Sequence, residues 1–242
     1  VVHHTTILAL STAEAASEER PTENHPGKRD RLKMNQAVIY REGKEIEPFS
    51  KSVDDCIVGQ ISLKEHRQNS LRSLGIPIEH QTETADRTQV LTGPLLLISD
   101  SVYVSPRALG SFLKRAKAMQ SPQRFCLPHH DFFQAISPLQ DVPLEKEYGF
   151  GYPLVFIPKG QSISIADAFS LPKDNWLAPL FRYRDIPVPR PPHISKTIPA
   201  VYPLTSTFAI RIRHWIHLLR LSHMMPALAL LEMAYANWGW TA

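Results

Sequence analysis

Asp100 stands directly after the apolar run Leu95-Leu96-Leu97-Ile98 and its closing Ser99. Open α/β sheets bind ligands beyond the carboxyl ends of their strands. One carboxylate oxygen in that place can hold a divalent cation that neutralises transferring phosphates. The competing account is a turn-forming aspartate between two halves of a strand, and residue type alone favours the turn. His129-His130-Asp131 supplies three ligand-type side chains in a row, and His214 with His217 stand three positions apart. Adjacent residues rarely converge on one ion, and no Cys or carboxylate stands near His214 at a recognised zinc spacing. Both groups read as structural or solvated, and His3-His4 as incidental. No serine sits in a G-x-S-x-G elbow, and Cys56 follows Asp54-Asp55, whose charges quiet a thiol. The ten glycines form neither G-x-G-x-x-G nor G-x-x-x-x-G-K-[ST]. Gly149-Phe150-Gly151 reads as a tight turn before a strand.

These residues need elements to hold them. The continuous apolar run at 95–98 predicts a strand covered on both faces, which Val102-Tyr103-Val104 extends or restarts. Ser105 then caps a helix over 106–119 with Pro106 at its first position, and Ala108, Leu109, Phe112, Leu113 and Ala116 form its buried stripe. Upstream, Gln36-Ala37-Val38-Ile39-Tyr40 reads as a buried strand closed by Glu42-Gly43. A helix over 62–74 has a capping box at Ser62 and Glu65 and a terminal Gly75. Ile76-Pro77-Ile78-Glu79-His80 is a short strand candidate, as are Arg124-Phe125-Cys126-Leu127 and Leu154-Val155-Phe156-Ile157. Strand, polar loop and helix in this order indicate α/β layering.

Length and composition set the bounds. The 242 residues are 43% hydrophobic and 21% charged, which excludes a wholly disordered chain, a collagen-like fibre and a polytopic membrane protein. Two cysteines point to a reducing, cytoplasmic compartment. Lysine and arginine exceed the acids by 27 to 23. The densest basic run, Lys28-Arg29-Asp30-Arg31-Leu32-Lys33, contains an acid and no aromatic, so it reads as a solvated tail rather than a nucleic-acid arm. Residues 1–33 are predicted to form a tail without a core, and their start lacks the basic region of a signal peptide. An α/β domain is expected over 34–171 and a proline-rich extended segment over 172–205. The run Val188-Pro189-Arg190-Pro191-Pro192 more often stiffens a connection than serves as an SH3-type ligand. An amphipathic helical segment is expected over 206–242, with Phe208, Ile212, Trp215, Leu218 and Leu219 on one face. Arg211, Arg213, His217 and Arg220 crowd its other faces, and Pro226 is expected to kink or break it. Arg220, His223 and Glu232 interrupt every window long enough to span a membrane.

A family resemblance adds to this reading. Pro48-Phe49-Ser50, Cys56-Ile57-Val58-Gly59-Gln60, Ser62-Leu63-Lys64-Glu65-His66 and Leu71-Arg72-Ser73-Leu74-Gly75-Ile76 resemble the opening of sugar-phosphate nucleotidyltransferases. In that family a proline motif, a short apolar turn and a helix ending LxxLGI follow the first strand. Residues 95–104 look like its strand-then-Asp unit. His214-Trp215-Ile216-His217-Leu218-Leu219 resembles a segment of nucleotidyltransferase-like proteins that continue into left-handed β-helix acyltransferase repeats. The likeness runs over 36–220. It implies a nucleotide-diphospho-sugar transferase sheet (Rossmann-like), Mg²⁺ at Asp100, phosphates at Arg41 and Lys44, and a nucleotide or sugar-nucleotide ligand. It also implies a homo-oligomer or a further β-helix domain as partner.

The chain departs from the family where the phosphates would lie. Arg41-Glu42-Gly43-Lys44-Glu45-Ile46-Glu47 replaces a glycine-rich basic loop, and Lys51 lacks the context of the family lysine. Three carboxylates repel a triphosphate, and side chains in place of glycine keep backbone N–H groups away from it. The expectation is therefore a binding or assembly module with a degenerate phosphate loop. The alternatives are an active Mg²⁺-dependent nucleotidyltransferase and a membrane-surface or partner-binding protein acting through its C-terminal helix.

Overall fold

Alternate residues of the first strand enter two different cores. Ala37 and Ile39 join one apolar cluster, while Val38 joins a second against which Tyr40 packs. The same split divides Leu96 and Ile98 from Leu95 and Leu97, all four at most 2% exposed. A strand that buries both faces has no place for a polar side chain, which explains the unbroken apolar run. The computed structural model describes residues 36–46, 50–181, 184–187 and 201–238. The expected tail over 1–33 and the Val188-Pro189-Arg190-Pro191-Pro192 run lie outside them.

The central sheet is mixed. Strand β1 (Ala37–Tyr40) lies between parallel β2 (Gln81–Thr84) and β3 (Leu95–Ser99), with Ala37 level with Gln81 and Leu96. A short strand β4 (Val102–Val104) follows β3 in sequence. Beyond β3 the order continues through antiparallel β6 (Gly149–Ile157), then β5 (Gln123–Leu127), then β7 (Trp176–Leu177) parallel to β5. Helices α1 (Leu63–Ser73) and α2 (Pro106–Ala116) feed the larger core through Leu71, Leu109 and Phe112. Helix α3 (Asp131–Ile136) adds Phe133 to it, and α4 (Ile165–Phe169) covers the second face through Ile165 and Ala168. The protein is a layered α/β fold around this mixed sheet.

Several local expectations hold. Ser62 and Glu65 form the capping box on α1, and Gly75 follows its end at φ +84°. Ser105 caps α2 behind Pro106, and that helix buries the stripe read from its sequence. Others need correction. Ile78–His80 is a 3-10 turn, and the strand comes after it, in the polar Gln81–Thr84. Gly149-Phe150-Gly151 begins β6, where the Trp176 ring lies 2.6 Å from any Cβ at Gly151. Part of the proline-rich segment joins the main sheet as β7, and Arg184–Pro187 pairs with Val201–Leu204. Residues expected to open the C-terminal helix form strand β8 (Ala209–Arg211), antiparallel to β4. Helix α5 (Trp215–Trp238) starts after it and continues through the exposed Pro226. Among the described residues, no helix is long and apolar enough to cross a membrane.

Candidate functional site

From β1 the chain runs through α1 to β2 on one side, then returns to β3 on the other. The carboxyl ends of β1 and β3 therefore flank the point where strand order reverses, the usual place for a ligand crevice in an open α/β sheet. Asp100 N donates to Tyr40 O across it at 2.9 Å. A cleft of about 350 Å³ opens here. Lys44, Arg87, Arg124, Arg211 and Arg213 supply its cationic lining, against the carboxylates of Glu42 and Asp141. Tyr40, Phe169 and Pro153 add apolar wall, and the Tyr40 and Phe169 rings meet edge-on at 5.6 Å.

Glu42 is the hub. Its Oε1 accepts from the Ser99 hydroxyl at 2.6 Å and the Ser101 hydroxyl at 2.9 Å. Arg211 Nη2 lies 3.2 Å from both carboxylate oxygens, and Arg213 pairs with Oε2. Burial works against its charge, but the Ser99 bond and the two guanidiniums outweigh burial and hold the carboxyl below its ordinary range. The repulsion expected of Glu42 is thus already neutralised inside the protein. Glu45 is exposed, and Glu47 lies outside the described residues.

Arg124 is held differently. Its three guanidinium nitrogens donate to the carbonyls of Tyr152, Phe169 and Gly151, at 3.0, 2.6 and 3.2 Å. The guanidinium also lies over the Trp176 ring. Among the described residues no carboxylate pairs with it. Burial, helped by the charge of Arg211, lowers its pKa to about 10, so it stays cationic at neutral pH.

Behind the arginines stands His217, fully buried. Its Nδ1 accepts from the backbone N–H of Arg213 at 3.0 Å and of His214 at 3.2 Å, so the proton sits on Nε2 and is donated to Pro138 O. Burial pushes the imidazole pKa down, against the Pro138 bond, with Arg220 and His214 adding to the fall. An unfolded histidine protonates near pH 6.5. The folded state resists that proton, so this stability is present above that value and is lost as pH falls below it. The melting temperature should drop on acidification from pH 7 towards 5, and a His217→Gln variant should be less stable but lack that slope. A slope surviving unchanged in the variant would assign it elsewhere.

The residues singled out from sequence separate. Lys44 lines the cleft. Arg41 is half-exposed and pairs with Glu83, away from the lining. Asp100 is buried at the strand end, where both carboxylate oxygens accept the Glu42 N–H at 3.2 Å and the backbone carbonyl accepts Arg67 Nη1 at 3.0 Å. Burial, then the charges of Asp54 and Glu42, raise its pKa despite the Glu42 N–H. As a donor set for Mg²⁺ these residues fit poorly. A hard cation takes six or more oxygens, and here Asp100 is turned to an amide while Glu42 carries two guanidiniums. Among the described residues no group of three or more His, Cys, Asp and Glu could hold a metal. His130 caps α3 by accepting the Phe132 N–H. Cys56 is kept in the thiol form chiefly by burial, with Asp55 a smaller contributor and Lys51 opposing.

Sequence reasoning passed over Arg87, Arg124, Arg211 and Arg213 as site residues. One signal was present: Ile210-Arg211-Ile212-Arg213 alternates apolar and basic, the period of a strand with one cationic face. Comparison with protein-family models finds no match, and neither does comparison with curated proteins or with solved structures.

Proposed function

We propose that this chain is a nucleotidyltransferase-like binding module that seats a sugar nucleotide, or a close phosphorylated relative, without transferring it. The observation that carries this reading is the cleft at the ends of β1 and β3, with five cationic side chains against two carboxylates. An anionic ligand meets guanidiniums there, and its sugar or base has Tyr40, Phe169 and Pro153 to lie against. The layered mixed sheet is of the kind the nucleotide-diphospho-sugar transferase reading requires. Binding is favoured over transfer because the strand-end carboxylate, Asp100, is not among the residues lining the cleft, and both its oxygens face the Glu42 backbone N–H.

The test is a thermal-shift screen of nucleoside triphosphates and sugar nucleotides, each with and without Mg²⁺. A ligand present at a hundred times its Kd adds about 2.7 kcal/mol to stability. For a chain of this size that is roughly 5–10 °C in Tm. At least one sugar nucleotide should give such a shift, and Asp100→Asn should leave it in place. No shift from any of them, or turnover abolished by Asp100→Asn, would overturn the reading.

A further inference from the structure

We infer that the cleft holds a diphosphate on cationic side chains alone, Arg211, Arg213, Lys44 and Arg87 taking the charge that a divalent cation would otherwise neutralise. This rests on reading the cleft as the ligand site. Three observations carry it. The first is surplus charge. One of the two lining carboxylates, Glu42, is already shared between Arg211 and Arg213, and the other, Asp141, is largely solvent-exposed. Lys44 and Arg87 are exposed at the cleft and have no carboxylate partner among the described residues.

The second observation is a buried cation without a counter-ion. Arg124 is 7% exposed and its donors end on three neutral carbonyls. A buried charge is costly unless an opposite charge faces it, and the cleft that Arg124 lines is where such an anion can sit. The third is unspent hydrogen-bonding capacity. The Arg213 side chain is nine-tenths buried, and its Nε and Nη1, with Arg211 Nε, have no acceptor. A small shift of these guanidiniums towards a ligand with several acceptor oxygens would satisfy them, and a diphosphate offers more oxygens and more charge than a carboxylate.

The same arrangement disfavours a metal. Any cation entering the cleft meets a positive field, and of its two carboxylates Glu42 is shared between two guanidiniums while Asp141 faces solvent 3.7 Å from Arg211. The polyanion is therefore neutralised by arginine and lysine, and added Mg²⁺ competes with the protein for it.

Titration calorimetry on the full chain, with inorganic pyrophosphate in EDTA, tests this. Pyrophosphate should bind without metal, and exchanging EDTA for excess Mg²⁺ should leave affinity unchanged or weaken it. Lys44→Gln and Arg87→Gln, both at exposed positions that leave the core intact, should each weaken binding roughly tenfold. Pyrophosphate that binds only with Mg²⁺, or equally well to both variants, would overturn the inference. A parallel titration with UDP-glucose separates the two claims. Pyrophosphate binding in EDTA without any sugar-nucleotide binding keeps this inference and removes the proposed function. Sugar-nucleotide binding without pyrophosphate binding does the reverse.

Discussion

Replacing Arg67 with methionine is expected to cost about 3–5 kcal/mol of folding stability, the usual consequence of breaking one side of a buried ion pair. Arg67 Nη2 lies 2.6 Å from Asp54 Oδ1, with the two side chains 6% and 10% exposed. Its Nη1 holds the Asp100 carbonyl, so one guanidinium fixes both a buried carboxylate and the loop at the end of β3. Methionine fills similar space but strands the Asp54 charge in a poorly solvated place. At 2–4 °C per kcal/mol for a chain of this size, the melting temperature should fall by roughly 6–20 °C. The double variant Arg67→Met with Asp54→Leu should recover most of that loss, because a well-packed apolar pair is often as stable as the ions it replaces. A loss below about 1 kcal/mol in the single variant, the usual ceiling for a solvated pair, would mean that water reaches Asp54 after all.

Glu42→Gln should be comparably damaging, and unlike the first loss it should respond to ligand. The amide keeps the shape and can still accept from the Ser99 and Ser101 hydroxyls, but it leaves Arg213 without a carboxylate and Arg211 with only the exposed Asp141, 3.7 Å away. The expected cost is again about 3–5 kcal/mol. Pyrophosphate should then raise the melting temperature of the variant by more than it raises that of wild type, since it supplies the missing charge. The wild-type carboxyl is held below its ordinary range, so its contribution is complete above about pH 4.5 and fades as pH falls further. The variant should lack that acid limb. Equal rescue of the two proteins would show that the added anion sits away from these arginines.

The framework of the sheet was legible because its signals are local. The capping box at Ser62, the Ser105-Pro106 helix start and the apolar run before Ser99 each fall within a few residues. Strand β2 was not, since Gln-Thr-Glu-Thr at an edge carries no apolar pattern. Strand β8 carries a helix-like signal because Phe208 and Ile212 are four apart, a spacing that both the strand and helix periods allow. The site was harder still. Its cations come from the loop after β1, the loop after β2, the start of β5, the end of β8 and the residues just past it, so no spacing along the chain brings them together. Arg124 in particular sits inside an apolar strand with the look of a solvated residue, whereas three carbonyls and a tryptophan ring hold it buried.

The join between β4 and β8 has a consequence for biosynthesis. Ser105 Oγ accepts the Phe208 N–H across 103 positions and donates to Ser206 O, while β8 lies along β4. A ribosome therefore completes β1, β3 and α2 well before it releases the segment that closes their core. Until then Phe208 is missing from the apolar cluster, and the Glu42 carboxylate, with Ser99 and Ser101 around it, has no guanidinium to meet. Such long-range closure is slow compared with local helix formation. The nascent chain thus carries a half-built crevice, and two of the five cations that make it attractive to anions arrive only with Arg211 and Arg213.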